Sequence, residues 1–117
     1  IKFDFQNDFG VYLHDTSAKG VFDRDVRSVS HGCVRVERPE ELAALLMQRT
    51  PGWDATRIDM QLQDTETVRA QLQQRWPVII AYWTVFVGDN GDVNFRNDVY
   101  GWDRDVTRLA GGGGIPA

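Results

Sequence analysis

The sequence is poor in cysteine: its 117 residues include only Cys33. One cysteine cannot form an internal disulfide, so Cys33 is either a small buried apolar residue or a reactive thiol. The sequence has no run of about 18 apolar residues, so no membrane-spanning segment is expected. It does not open with a basic stretch followed by an apolar run, and it therefore shows no signal peptide.

Basic charge is in the minority. The chain has 13 lysines and arginines against 17 acidic residues, a net charge of −4. Since no basic stretch is interleaved with aromatic residues, nucleic acid is not an expected partner. The length suits one domain with a modest core. Residues 1–5 resemble the middle of a strand and the chain lacks an initiator methionine, so we expect a fragment or a processed product.

The first third of the chain predicts two strands and a long loop. Residues 1–6 alternate apolar and polar side chains, which indicates a half-buried strand. Residues 11–14 form a short β-prone run that ends at His14. Residues 15–30 are polar and have no period, so we expect a loop there. Long loops without regular structure in compact domains are usually functional.

Two short helices are predicted next. Residues 39–49 begin with Pro39, carry acidic residues in the first turn and line one face with leucines, all of which favours a helix. A second helix is expected after Thr50-Pro51, where the same start signal recurs. Residues 64–76 fit either a helix or a strand, and we weakly favour a strand.

The last third predicts further strands and a tail. Residues 77–87 are apolar and mostly β-branched or aromatic, which favours a strand buried on both faces. Asn90-Gly91 predicts a two-residue hairpin turn into a strand at residues 93–96. The four glycines at 111–114 predict a flexible tail. The expected fold is mainly β with two short helices.

Ser30-His31-Gly32-Cys33 is the stretch that carries chemistry. A thiol becomes a good nucleophile when a base or a positive charge favours the thiolate. Gly32 permits a tight backbone in which successive N–H groups converge as an oxyanion hole. His14 ends a strand 19 residues before Cys33 and is a candidate to deprotonate the thiol and later protonate a leaving amine.

These motifs resemble the YkuD family of L,D-transpeptidases. His14, a gap of 15 residues and then Ser-His-Gly-Cys match that family's signature. Flanking stretches, including Tyr82-Trp83-Thr84 and residues 95–101, resemble the large periplasmic YcbB-type members. The resemblance implies a β-sandwich-like catalytic domain whose first strands are missing. Residues 1–106 would be the C-terminal part of that domain and residues 107–117 a glycine-rich tail.

The resemblance also implies the catalytic roles. Cys33 would be the acylated nucleophile and His14 its base. The backbone carbonyl of Asp15 would orient the imidazole, while the Asp15 carboxylate is not expected to act as a third catalytic group. The backbone N–H groups of Gly32 and Cys33, helped by His31, would hold the oxyanion. No metal or organic cofactor is expected, because the base and the oxyanion donors are protein groups.

Four further residues are candidates for substrate binding. Tyr12 would form a pocket wall, and Ser30 would contact the substrate beside the nucleophile. Arg35 would meet a substrate carboxylate, with an ion pair to Glu37 or to a nearby aspartate as the alternative. Arg27 either binds a carboxylate or pairs with a neighbouring acidic residue.

The implied reaction is cross-linking of the bacterial cell wall. Cys33 would attack a peptidoglycan tetrapeptide stem at its third residue, release D-Ala and pass the acyl group to an amine of a second stem, giving a 3→3 cross-link. Carbapenems, which are strained β-lactams, would acylate the same thiol. The implied location is the periplasm or cell envelope, and the sequence leaves the oligomeric state open.

Four alternatives stay open at the level of sequence. The same cysteine and histidine would also serve a hydrolase that passes the acyl group to water. A non-catalytic wall-binding domain would retain the fold alone. Cys33 would be inert if it were simply buried. His14, His31 and Cys33 would alternatively supply three ligands for zinc, although no second cluster of ligands accompanies them.

Overall fold

The computed structural model of the chain describes residues 1–112, which belong to two units. The first unit comprises residues 1–78, and the second begins at Ile79. No helix in the described part of the chain is long and apolar enough to cross a membrane.

The sheet of the first unit has three short strands. They are β1 (Lys2–Phe3), β2 (Leu13–His14) and β3 (Val34–Arg35), in the order β1-β2-β3. Strand β1 is antiparallel to β2, whereas β3 is parallel to it. The two strands predicted in residues 1–14 are therefore present, but each is shorter than its sequence pattern indicated.

The connection from β2 to β3 is long, as a parallel pair requires. It is mostly irregular, in agreement with the predicted loop, and contains one 3₁₀ helix at Lys19–Asp23. Val21 in this helix is only 6% exposed, which makes it one of the most deeply buried apolar side chains of the chain. Its burial fixes the middle of the connection against the unit.

Both predicted helices are present in the first unit. Helix α1 spans Pro39–Met47 and α2 spans Ala55–Gln63, and the two contact each other. Ala43 of α1 and Ile58 of α2 are buried. Helix α1 begins at the predicted residue and ends two residues before the predicted end at 49.

The strand favoured over residues 64–76 is absent. This segment is irregular and has no ladder partner in the described chain. It is attached through the Gln73 amide, which donates at 3.2 Å to the hydroxyl of Thr50, 23 residues earlier. A strand exists only where a neighbour accepts its backbone hydrogen bonds, and apolar alternation alone does not supply that neighbour.

The second unit contains a hairpin of β4 (Val85–Val87) and β5 (Val93–Phe95). The strand predicted over residues 77–87 is thus limited to its last three residues, and its predicted burial is wrong. Ile79 is 87% exposed and Trp83 75% exposed, because nothing in the described part of the unit covers them. The apolar composition of residues 77–87 therefore predicted β structure correctly only at Val85–Val87, and it predicted burial incorrectly.

The hairpin turn is longer than predicted. Gly88 N–H donates to the Asp92 carbonyl at 2.8 Å, so the three residues 89–91 form the loop. A two-residue type I′ turn needs positive φ at both central positions, whereas Gly91 has φ +84° and no non-glycine residue of the described chain has positive φ. The extra residue lets Gly91 alone take the left-handed conformation.

A third helix, α3 (Trp102–Gly112), was not predicted from the sequence. The Asp98 carboxylate accepts hydrogen bonds from the backbone amides of Gly101 at 2.9 Å and Asp103 at 2.7 Å, which satisfies free donors at the helix start. The Tyr82 hydroxyl donates to the same carboxylate at 2.7 Å and, as the main cause, lowers the pKa of Asp98.

Helix α3 overlaps the first part of the predicted tail. The boundary placed at residues 106/107 falls inside α3, so the chain stays helical where a tail was expected to begin. Gly111 is helical as well, while the rest of the predicted flexible stretch extends beyond the described residues. The extent of the catalytic domain itself stays a prediction.

The start of α2 offers a test of local stability. Asp54 is the N-cap, and its carboxylate accepts the Arg57 amide at 2.8 Å. We expect Asp54→Ala to lower the free energy of unfolding by about 1 kcal/mol in urea denaturation, because that amide loses its partner. Asp59→Ala is the control, since it removes the same charge from the exposed middle of α2. Equal effects of the two substitutions would contradict a capping role.

Candidate active site

Parallel pairing of β2 with β3 brings the two key candidates together. Leu13 pairs with Val34 and His14 with Arg35, so His14 ends one strand while Cys33 directly precedes the next. Extending this register by one residue sets Tyr12 opposite Cys33. Because alternate residues of a strand share a face, the side chains of these candidates belong to one face of the sheet.

The His14 imidazole has a fixed orientation. Its Nδ1 lies 2.5 Å from the backbone carbonyl oxygen of Asp15. A carbonyl only accepts hydrogen bonds, so Nδ1 carries the proton and the neutral ring keeps a free lone pair on Nε2. The Tyr12 ring meets the imidazole edge-on, with centroids 5.6 Å apart. His14 is therefore held in the tautomer that a general base needs.

The imidazole and the thiol are neighbours without being bonded. Within residues 1–112 no hydrogen bond links His14 to the Cys33 sulfur, and Cys33 is half-buried. Unliganded catalytic pairs are often loose and tighten when substrate binds. The strand pairing sets His14 opposite Arg35, two residues beyond Cys33, and the acid–base role of His14 stays a prediction.

The Asp15 carboxylate is engaged away from the imidazole. Its Oδ1 accepts from the Lys19 ammonium at 2.8 Å and from the Thr16 amide at 2.7 Å. The hydrogen bond from Lys19 is the largest cause that lowers the pKa of Asp15. Asp15 thus meets His14 through its backbone carbonyl, which is where the resemblance placed its contribution.

The loop before the nucleophile is braced by Ser30. Its hydroxyl donates to the Cys33 carbonyl at 2.5 Å and accepts from the Gly32 amide at 3.2 Å. Gly32 has φ +146°, a conformation that side chains with a Cβ rarely adopt. The Gly32 N–H, a predicted oxyanion donor, therefore donates to the Ser30 hydroxyl in this structure. Ser30 stabilises the loop through these two bonds, and its contact with substrate stays a prediction.

Arg35 retains unused hydrogen-bonding capacity. One terminal nitrogen of the half-buried side chain donates to the Val29 carbonyl at 3.4 Å, while its Nε is buried without a partner. No ion pair of Arg35, with Glu37 or any other acid, is present in the described chain. The alternative of an ion pair that merely braces the loop is therefore not the arrangement observed.

The other two candidates lie on the exposed connection. Arg27 donates through Nε to the Arg24 carbonyl at 2.8 Å, and it makes no ion pair with a residue of the described chain. His31 is exposed beside the nucleophile. Neither residue lies on β2 or β3, and the predicted roles of both stay predictions.

The zinc alternative finds no support in the geometry. Across residues 1–112, no group of three or more histidine, cysteine or acidic side chains is arranged to hold a metal ion. The positions of His14, His31 and Cys33 therefore do not form a three-ligand centre in this structure.

Two lysines near the site were missed by the sequence analysis. Lys19 bonds the Asp15 carboxylate, and the Lys2 ammonium lies 4.1 Å from the centre of the Tyr12 ring. Asp15 and Lys19 are four residues apart, a spacing that brings two side chains together on a helix. Because residues 15–30 were predicted to be a loop, the spacing did not predict this contact. The Lys2 contact depends on the antiparallel register of β1 with β2, which the sequence does not specify.

The sequence matches the YkuD family, the L,D-transpeptidase catalytic domain, over residues 1–80. The chain belongs to the YkuD family. This match covers every predicted site residue and confirms the predicted fold class, which the structure realises as two small sheets with short helices. A Haemophilus influenzae protein named "Putative L,D-transpeptidase" is 37% identical over 105 residues. That alignment includes 90% of this chain and 21% of the relative, so the chain spans about a fifth of the relative's length.

Gly32 provides a test of the nucleophile loop. We expect Gly32→Ala to lower the free energy of unfolding by roughly 1–3 kcal/mol, because alanine is strained at positive φ. A Cβ at this position would meet Val11 only at 3.9 Å, so the cost arises from the backbone and not from a clash. Gly20→Ala, at a glycine without positive φ and with open space around it, is the control in the same urea titration. Parent-like stability of Gly32→Ala would contradict the strained loop.

Proposed function

We propose that this chain carries the active site of a peptidoglycan L,D-transpeptidase, with Cys33 as nucleophile and His14 as base. The observation that supports the proposal is the parallel register of β2 and β3, in which His14, with its imidazole of fixed tautomer, ends one strand and the chain's only thiol directly precedes the other. Family membership supplies the class of reaction. The relative's name points to the same class of enzyme.

The first half-reaction forms a thioester. His14 Nε2 takes the proton of the Cys33 thiol, and the thiolate attacks the carbonyl carbon of the third residue in a tetrapeptide stem. Backbone N–H groups of the nucleophile loop stabilise the oxyanion, for which Gly32 must exchange its bond to the Ser30 hydroxyl for one to substrate. The bond to the terminal D-Ala then breaks, and its amine leaves with the proton returned by the imidazolium.

The second half-reaction transfers the acyl group. An amine of a second stem attacks the thioester carbonyl while His14 accepts its proton. The carbon–sulfur bond breaks, the thiol of Cys33 is restored and a new amide joins the two stems as a 3→3 cross-link. The protein acts on the cell wall in this proposal, and its location is the periplasm or cell envelope.

Arg35 is proposed to bind a carboxylate of the stem peptide. It follows Cys33 by two residues on an extended segment, so both side chains leave the same face of β3. Its guanidinium has no acidic partner in residues 1–112, and a planar guanidinium holds a carboxylate through two parallel hydrogen bonds. A carbapenem, which reacts through a strained ring carbonyl, would need this contact less.

The nucleophile is tested by substitution with product analysis. We expect Cys33→Ala and Cys33→Ser to reduce formation of the 3→3 dimer from tetrapeptide muropeptides by roughly a thousandfold or more, because no thioester forms. Thermal unfolding should be nearly unchanged, since the side chain is small and half-buried. Retained turnover in Cys33→Ala would overturn the assignment. Shortened monomers without dimers in the parent protein would identify a hydrolase in place of a transferase.

Arg35 is tested by comparing two acyl donors. We expect Arg35→Lys to slow reaction with stem peptides about tenfold while acylation of Cys33 by a carbapenem changes little, because lysine cannot form the bidentate bond. Both rates come from the mass of the Cys33 peptide over time. Arg38→Lys is the control, because Arg38 is an exposed partner of Glu41 at 3.1 Å. Equal losses with both donors, together with a lower melting temperature, would make Arg35 a structural brace.

A further inference from the structure

One ammonium group connects the ends of the two strands that carry the site. Lys19 Nζ donates to the Asp15 carboxylate at 2.8 Å and to the Glu37 carbonyl at 2.8 Å. Asp15 directly follows His14 at the end of β2, and Glu37 follows the end of β3 by two residues. Lys19 itself begins the 3₁₀ helix that Val21 anchors by burial.

We infer that Lys19 is a positioning residue for the base: it holds the His14 end of β2 against the end of β3 and neutralises the Asp15 carboxylate beside the imidazole. This inference rests on the proposed roles of His14 and Cys33. Two properties follow from the same group. Its hydrogen bonds fix the distance between the strand ends, and its charge sets the electrostatic surroundings of the catalytic pair.

The hydrogen bonds limit how the site can relax. Asp15 bears the carbonyl that orients the imidazole, so any shift of Asp15 also turns His14. The Asp15 side chain has only two donors in the described chain, Lys19 and the adjacent Thr16 amide. Without Lys19, the side-chain link from Asp15 to Glu37 is lost, and only the backbone hydrogen bonds between β2 and β3 limit a shift of the imidazole relative to the thiol. Small displacements of this kind lower rates strongly because reacting atoms must be closely aligned.

The charge has a predictable sign. Hydrogen bonding by Lys19 lowers the pKa of Asp15, so the carboxylate is ionised throughout the neutral range. Removing Lys19 would leave that negative charge uncompensated one residue from His14. A nearby negative charge favours the imidazolium and disfavours the thiolate, so both effects move formation of the reactive thiolate to higher pH.

Other charged groups lie on the elements next to His14, and they also influence the pH at which the thiolate forms. They are Lys2 on the β1 side, Cys33 and Arg35 on the β3 side, and Asp15 in the connection. None of these is altered by substitution of Lys19 alone, so a shift in that variant reports the loss of its own charge.

The test is the pH profile of Cys33 acylation in the intact protein by a tetrapeptide stem whose side-chain amine is blocked, followed through the mass of the Cys33 peptide, because this reaction needs His14 in place at every pH. The rate rises with pH along an acid limb and levels off at a plateau. We expect Lys19→Met to lower the plateau rate about tenfold, because the imidazole is less well placed. We expect the same substitution to move the acid limb upward by about half a pH unit, because the Asp15 charge is no longer compensated. Asp15→Asn keeps the acceptor oxygen and removes the charge, so its limb should move downward. The double substitution should return the limb to the parent position while the plateau stays low.

Two further variants separate positioning from general effects. Lys19→Arg should retain both plateau and limb, because its guanidinium also donates to two acceptors. Arg38→Met removes a cation of equal charge from the exposed pair with Glu41 and should match the parent. If Lys19→Met fails to fold, the downward shift in Asp15→Asn decides the electrostatic claim, and its absence overturns it.

Distinct outcomes overturn the inference and the proposed function. A parent-like profile in Lys19→Met, or a lower plateau with no shift of the limb and no rescue by Lys19→Arg, overturns the role of Lys19. His14→Ala provides the independent reference. If it strongly lowers the plateau rate while Lys19→Met matches the parent, only the inference fails. If His14→Ala itself matches the parent, the proposed base is wrong and the inference falls with it.

Discussion

The parallel pairing of β2 with β3 is the constraint on which the candidate site depends. The Val34 amide donates to the Tyr12 carbonyl at 3.1 Å, and the Val36 amide donates to the His14 carbonyl at 2.8 Å. These bonds fix the register, which puts His14 at the end of one strand and Cys33 directly before the other. A slip of one residue would turn the whole set of candidate side chains to the opposite face.

A parallel pair needs a long connection, and here that connection contains the nucleophile loop. Strand β3 begins directly after Cys33, so the residues that shape the nucleophile loop belong to the connection itself. Local contacts hold this connection: buried Val21, the two hydrogen bonds of Ser30 and the two of Lys19. Each hydrogen bond contributes only about 1 kcal/mol, so the arrangement depends on their combination.

The candidate site residues could be proposed from the sequence because their signal is chemical and local. A cysteine after Ser-His-Gly, with a histidine that ends a β-prone run, indicates a nucleophile and a base before any fold is known. The two helices were predictable for a similar reason, since Pro39 and the acidic first turn act on neighbouring backbone. The braces provided by Ser30 and Lys19 were not, because each depends on where the loop returns in space.

The errors concern interactions between distant segments. Residues 77–84 have the composition of a buried strand, yet burial requires a covering element, which the described second unit does not contain. Helix α3 begins where Asp98 caps its amides while Tyr82, sixteen residues earlier, bonds the same carboxylate. Glycines near the end of the chain predicted a tail in this region, and the contact of Tyr82 with Asp98 joins residues too far apart in sequence to have been predicted.

Acylation of Cys33 is the central claim, and intact mass spectrometry tests it most directly. The protein is incubated with a tetrapeptide muropeptide whose side-chain amine is chemically blocked, so that no acceptor is present, and the modified residue is located by peptide mapping. The account predicts a mass increase equal to the donor minus D-Ala, placed on Cys33 and lost when an acceptor stem is added. An unmodified Cys33 in folded protein, or an adduct on another residue, would contradict it.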